Sequence, residues 1–503
     1  VFVNVSILLD MVVDGLGDRP LLGRRERTYT APEVAALCDS AANLLTERDV
    51  KALVYLDVNG PCFTIALFAA ARAGIPLVPL NYRQSADQIV SLLAKHPGAL
   101  VITSEQFEDS CSAAGLATVT RDEWLAELSA SPAASPFEAP QDPETPAAII
   151  YTSGTTSEPK GVVLRHENLT SYVMGSVEFA GAAESEAALV SVPPYHIAAV
   201  ANAITNFYAG RRTVVLEQFS GEEWLETVRS EEITNALVVP TMLARIIDAD
   251  GDRSAPSLRT LSYGGAAMPR RVIEKALIEW PHVGFVNAYG LTETSSTIAV
   301  LGPEDHRDAV DSADENVRRR LGSAGQVLPT VEIEIRGADG AVLAAGEVGR
   351  IWVRGEQVSG EYSGTGSVLD GAGFFDTRDE GYLDVDGYLF IGGRTDDTII
   401  RGGENIAPAE IEAVLLAHEA VADAVVVGVS DVEWGQRLEA VIVTAPNAHI
   451  ASHDLREFVR TRLRGSKTPD TIHVWDELPR TETGKLVRRH VLAKLNAESE
   501  RSS

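Results

Sequence analysis

Cysteine is scarce in this chain and forms no pattern. Cys38, Cys62 and Cys111 have no metal-ligand spacing and cannot all pair, which points to buried or incidental thiols in a reducing compartment, the cytoplasm. Long apolar runs are also missing. Residues 62–80 come nearest, but Arg72, Gly74 and Pro76 divide them into a helix and a short strand, so no membrane span is expected. Residues 1–9 are apolar, yet no basic region precedes them and Asp10 follows at once, which argues against a signal peptide. Positive charge is in deficit, with 43 Lys and Arg against 72 Asp and Glu and a net charge of -29. Such a surface repels polyanions, so neither nucleic acid nor an anionic membrane is an expected partner. The balance reverses only from Asp454 onward, where Lys and Arg outnumber Asp and Glu. The sequence also lacks internal repeats and low-complexity tracts.

What is present describes a large globular protein: 503 residues, 45% hydrophobic and 6% aromatic, enough for two to four domains. The first third alternates helix and strand, with helices predicted at 31–46 and 63–72 and strands at 52–58 and 75–80. Thr30 with Glu33 three residues on forms a capping box for the first helix. The Pro-, Ala-, Glu- and Ser-rich stretch 132–146 is read as a surface crossover. The middle third repeats the alternation, with strands at 189–192, 212–216, 236–239 and 260–263 and a helix at 221–230. This rhythm implies parallel sheets covered by helices. Beyond Gly322 short strands at 331–336 and 350–354 around an Ala338-Asp339-Gly340 turn indicate a β-rich subdomain, 322–394. Helices at 409–416 and 453–463 and strands at 424–429 and 439–443 then form a compact α+β unit.

One stretch concentrates unusual chemistry. Tyr151-Thr152-Ser153-Gly154-Thr155-Thr156-Ser157-Glu158-Pro159-Lys160-Gly161 lies between apolar 147–150 and Val162-Val163-Leu164, as a loop joining two strands. Its hydroxyls, Gly154 and Lys160 offer side-chain donors, backbone donors and a cation, the groups a polyphosphate needs; a ligand-free polar turn has the same composition. It is not a Walker loop, since no Gly-Lys-Ser/Thr follows at the required spacing and a strand follows in place of a helix. The turn Gly264-Gly265-Ala266-Ala267 after a strand is open to two readings, close approach of a flat ligand or a tight turn alone.

Three more blocks stand in order: Asn287-Ala288-Tyr289-Gly290-Leu291-Thr292-Glu293, then Gly381-Tyr382 through Asp386-Gly387-Tyr388 to Gly393-Arg394, and Pro479 to Gly484-Lys485. With Thr152 to Gly161 they resemble the signatures of the adenylate-forming superfamily, which comprises acyl-CoA synthetases, luciferases and the adenylation domains of peptide synthetases. The similarity spans nearly the whole chain. It implies a large N-terminal domain, 1–394, a hinge at 395–396 centred on Asp396, and a small mobile α+β C-terminal domain, 397–503.

The resemblance also implies roles. Lys485 would bridge the carboxylate and the α-phosphate of ATP; Thr292 would donate to that phosphate; Glu293, with Thr156, would hold Mg²⁺. Thr152, Ser153, Gly154, Thr155 and Lys160 would cradle the phosphates, while Gly264, Gly265, Ala266, Asn287, Ala288, Tyr289 and Gly290 would lie along adenine and the acyl group. Asp379 and Arg394, with Ile391 nearby, match the ribose site. Arg401, Gly402, Gly403 and Glu404 match the loop that passes pantetheine, the thiol arm of coenzyme A. Tyr195, His196, Ala199, Tyr263, Gly264 and Gly290 would line the acyl pocket, with His196 at the junction to the thiol tunnel.

Two positions depart from the family pattern, Ser157 and Arg378, where Gly is usual. No aspartate stands in Ile197-Ala198-Ala199-Val200-Ala201 to pair with an α-ammonium, so the expected substrate is a carboxylic acid without an α-amine, and the small side chains suggest a bulky cyclic, aromatic or medium-chain one. The expected activity is that of an acyl-CoA synthetase using ATP, Mg²⁺ and coenzyme A. Loading of a carrier-protein pantetheine, thioester formation from an acyl adenylate with impaired adenylation, and a non-catalytic binding protein are the alternatives, and a homodimer stays open as the assembly.

Overall fold

The computed structural model describes residues 3–133, 135–152, 159–394, 397–401, 404–431, 434–445, 448, 450–463, 465–481 and 486–502. Their strands form sheets of thirteen, eight, three and two strands. The centre of the thirteen-stranded sheet is parallel: Gly284–Leu291, Thr260–Gly264, Asn235–Val238, Ala187–Val190, Arg212–Val215 and Pro20–Arg24 run side by side. The eight-stranded sheet has a similar parallel centre of Pro146–Thr152, Leu77–Pro79, Leu53–Leu56, Leu100–Thr103 and Ala117–Thr120.

The expected parallel sheets form these centres, and the margins, including the expected β-rich region after Gly322, are antiparallel. Arg27–Thr30 folds back on one edge of the large sheet, and past Gly284–Leu291 an antiparallel ladder continues through Ser296–Leu301, Gly325–Val327, Tyr388–Arg394, Phe375–Leu383, Gly349–Arg354 and Glu332–Arg336. Within this ladder Gly284–Leu291 and Ser296–Leu301, like Phe375–Leu383 and Tyr388–Arg394, are joined by connections too short to hold a crossover helix, which requires antiparallel pairing. The β-rich region after Gly322 is thereby joined to the large sheet through three residues, Gly325–Val327.

Helix placement follows local chemistry. Thr30, Ser85 and Thr120 each close a capping box, with Glu33, Gln88 and Glu123 respectively. Pro61–Ala73 is buried from Cys62 to Arg72, because it packs against Ala31–Glu47 and Ile197–Ala209 between the sheets. Arg72, which interrupts its apolar run, is ion-paired with Asp39 and Asp10. Gly74 ends it at φ +69°. Among the described residues no helix is long and apolar enough to cross a membrane. The 132–146 stretch docks on the surface, where the Phe137 amide donates to Asp39 at 3.0 Å.

At the C-terminal end Val421–Asp431 and Gly435–Thr444 form a hairpin to which Thr471–Val474 adds in parallel. Helices Pro408–Leu416 and Ser452–Arg460 cover it, and Ile411, Leu415, Val426, Ile442, Leu455 and Val459 form a core separate from that of the large sheets.

Candidate active site

Described residues of the first three sequence blocks meet at the seam between the two large sheets. Pro146–Thr152 and Lys160–Arg165 are antiparallel, with Thr152 opposite Lys160. Ser153, Gly154, Thr155 and Thr156, like Ser157, fall in the connection between them and lie outside the described residues. Lys160 Nζ stands 5.7 Å from the centre of the Tyr362 ring. Tyr362, on the strand Glu361–Tyr362 that pairs with Lys160–Arg165 in the eight-stranded sheet, donates its hydroxyl to Glu293 Oε1 at 2.8 Å. Burial, and then the negative charge of Glu293, raise the Tyr362 phenol well above its ordinary range, so it remains a donor. Tyr362 was not among the sequence candidates; only the glycines around it hint at a special position.

Glu293 sits on a single 3₁₀ turn, Thr292–Thr294, that is locked from several sides. The Thr294 hydroxyl accepts from the Leu291 amide at 3.0 Å and donates to the Ser296 carbonyl at 2.8 Å. Gln357, 1% exposed, donates to the carbonyls of Thr294 at 3.0 Å and Thr297 at 2.8 Å. Gln357 is a second group missed in the sequence. The chain then turns through Ser295 and Ser296 with φ of +56° and +114°, angles that side chains other than Gly rarely adopt. Gly290 answers the same tight fold-back, since a Cβ there would stand 1.7 Å from the Ser296 carbonyl oxygen. A lone hard carboxylate suits Mg²⁺, which takes one or two carboxylates together with phosphate oxygens. Among the described residues no group of three His, Cys, Asp or Glu side chains is gathered as a transition-metal site would need.

Asp379 and Arg394 face each other across neighbouring strands, with Arg394 Nε 3.2 Å from Asp379 Oδ1. The other carboxylate oxygen accepts from the Tyr289 hydroxyl at 2.6 Å, and the Asp379 amide donates to Thr377 Oγ1 at 3.1 Å. The Tyr289 ring and Ile391 are part of one apolar cluster. Asn287 donates to the Ser323 carbonyl at 2.9 Å. Arg378, between Thr377 and Asp379, holds φ +62° on an exposed position, which explains why a glycine is the usual residue there.

On Thr260–Gly264 the side chains alternate. Gly264 stands opposite Ala288, and a Cβ on it would lie 2.3 Å from the Ala288 carbonyl oxygen, so its glycine is needed for strand packing. Gly265 follows at φ +81°, leading into Ala266. Tyr263 points the other way: it is fully buried and donates to His306 Nε2 at 2.8 Å, while His306 Nδ1 is bonded to the Gly302 carbonyl at 2.6 Å. The structure therefore does not bring Tyr263 to the pocket, because neighbouring residues of a strand face opposite sides. Ala199 is likewise in the core; on Ile197–Ala209 the partly exposed positions are Ile197 at the start and Ala198, Asn202 and Thr205 along one helical face. His196 caps that helix, its ring 4.6 Å from that of Tyr195, which in turn meets Tyr82 edge-on at 5.5 Å.

In the C-terminal unit Lys485, Asp396, Gly402 and Gly403 lie outside the described residues. Arg401 and Glu404 are opposed in a hairpin, and the Arg401 guanidinium is engaged in two bonds to Asp470, at 2.7 and 2.9 Å.

Known proteins align with this arrangement over nearly its full length. The AMP-binding enzyme family matches residues 9–363, and the AMP-binding enzyme C-terminal domain matches residues 410–485. The fatty acid–[acyl-carrier-protein] ligase ScoC of Streptomyces coeruleorubidus is 32% identical, with 89% of this chain and 88% of that protein covered. The indoleacetate–CoA ligase of Aromatoleum aromaticum is 32% identical, with 92% of each covered. The structure of o-succinylbenzoate CoA synthetase from Bacillus subtilis, in complex with its acyl-adenylate intermediate, superposes with a TM-score of 0.82 at 30% identity, covering 96% of this chain and 97% of that one. The matches over both segments and the gathering of Glu293, Asp379, Arg394 and Lys160 at one seam lead to one conclusion: the chain belongs to the family of AMP-binding, adenylate-forming enzymes.

Proposed function

We propose that this protein is an AMP-forming acid–CoA ligase acting on a ring-bearing carboxylic acid. The observation that carries the reading is the seam itself, where an acidic metal-ligand candidate, a ribose-type carboxylate and two cations converge from separate sheets. Relatives that act on indoleacetate and o-succinylbenzoate support an acid with a ring, and the small side chains of Ala198 and Ala288 fit one.

The first half-reaction joins a carboxylate oxygen of the acid to the α-phosphorus of ATP and expels pyrophosphate; in the second the thiol of coenzyme A attacks the acyl carbon and AMP leaves. Both bring negative charges together, so fixed cations and donors lower the barrier. Asp379 would accept from the ribose hydroxyls, with Arg394 and Tyr289 holding its carboxylate in place. Thr292 would donate to the α-phosphate and Lys160 would face the outer phosphates. Glu293 would hold Mg²⁺, whose charge offsets that of the phosphates, and the Tyr362 hydroxyl keeps that carboxylate oriented. Lys485 would approach only for adenylation. Rotation of a C-terminal domain, 397–503, about Asp396 would then exchange it for the Arg401–Glu404 loop, a reading supported by the separate core of that unit. The three cysteines, free and buried with thiols raised by burial, fit a cytoplasmic protein.

The test is pyrophosphate release over a panel of acids, with and without coenzyme A. Lys485→Ala should abolish adenylate formation and spare thioester formation from a supplied acyl adenylate; equal loss of both half-reactions would overturn its assignment.

A further inference from the structure

A cavity of about 280 Å³ lies against the large sheet, where Thr260, Ser262, Val286 and Ala288 line it from one face. Strand register orders its lining. Asn235 pairs with Thr260 in one row, and Leu237, Ser262 and Val286 form the next. Gly264, Ala288 and Val300 form the row at the candidate site. The helix Ile197–Ala209 closes the cavity with Asn202 and Thr205, one and two turns beyond Ala198. The space thus reaches, through Ala288, the row to which Gly264 belongs, and it is about twice the 150 Å³ of a cavity that holds benzene.

The lining departs from the apolar norm of such pockets. Ser262, Thr260 and Thr297 hydroxyls border it, as does the Asn235 amide, whose oxygen accepts from Thr234 at 2.7 Å while its N–H groups, like those three hydroxyls, pair with no protein group among the described residues. Its cation, Arg211, is balanced by Glu186 at 3.0 Å, and among the described residues no carboxylate lines the cavity. A polar wall of this kind, left unmatched, penalises an apolar ligand by the cost of stranding its donors and acceptors.

Resting on the ligase reading above, we propose that the substrate is an oxygenated acid: its far end carries an uncharged hydroxyl or carbonyl group that bonds to Ser262, Thr260 and Asn235. Two residues of strand span about 7 Å, so the polar rows lie about 7–13 Å from the Gly264 turn where the carboxylate reacts. A ring with an oxygen on its distal carbon meets that distance.

Three acids of one shape test this, 3-phenylpropanoates bearing a para hydroxyl, methyl or carboxylate group, read by ATP–pyrophosphate exchange. The hydroxyl acid is expected to exceed the methyl acid in kcat/KM by at least tenfold, and Ser262→Ala or Asn235→Leu to bring that ratio toward one, the methyl acid serving as reference within each preparation. A methyl acid as good as the hydroxyl acid, or a ratio unmoved by both substitutions, overturns the proposal. A carboxylate acid as the best of the three overturns its uncharged tail. Exchange with none of these or any other acid removes the ligase reading, and this inference falls with it; exchange favouring apolar acids removes this inference alone.

Discussion

Arg378 holds φ +62° with a full side chain, and its positive charge is near enough to Tyr362 to favour the ionised phenol, against the larger effect of burial. A left-handed residue costs about 1–2 kcal/mol, and a glycine adds about 0.4–1 kcal/mol of unfolded-state freedom, so Arg378→Gly should gain about 0.5–1 kcal/mol of stability. The same change removes a positive charge from the phosphate side, and the KM for ATP should rise severalfold; calorimetry and steady-state kinetics check the two effects in one variant. Residues such as Asp379 and Arg394 were legible because motif spacing names them. Tyr362 and Gln357 were not, since each reaches Glu293 or its turn from a stretch with no distinctive spacing. Tyr263 was assigned to the pocket as a neighbour of Gly264, yet alternation along a strand turns adjacent side chains apart.

Among the elements, the turn Thr292–Thr294 depends most on help from outside, and Gln357 supplies it. Gln357→Leu keeps the bulk and leaves two buried carbonyls without their donor, at a cost of about 2 kcal/mol or more. The melting temperature should fall by several degrees and adenylate formation should slow more than thioester formation, because Thr292 and Glu293 serve the first half-reaction; thermal scans and single-turnover rates read both. The helix starts at Thr30 and the parallel centres were readable from capping residues and from the helix–strand alternation. The antiparallel margins were less so: whether a short strand after Gly322 closes on its own layer or extends the large sheet is decided by the pairing of Gly325–Val327, which no local pattern encodes.

At the scale of the molecule, buried neutral histidines tie distant parts together. His166 accepts the Val5 amide on Nδ1 at 3.2 Å, joining the N-terminal helix Ser6–Leu16 to His166–Ser176, and burial pushes its pKa down to about 4. Against an unfolded value of about 6.5, the unfolded chain takes up the proton first, so stability is full above pH 6.5 and falls from there to about pH 4, by an amount of order 3 kcal/mol. Burial lowers His96 and His306 as well, which adds to the same slope. Melting temperatures between pH 7 and pH 5 should decline steeply in the wild type and less steeply in His166→Gln. Tyr362 and Lys160 belong to the eight-stranded sheet, whereas Asp379 and Arg394 belong to the thirteen-stranded one and Glu293 to a turn between two of its strands. A chain refolding from denaturant therefore passes through no partly competent stage: either sheet may complete itself without turnover, and the clock of recovered activity starts only when the two have docked.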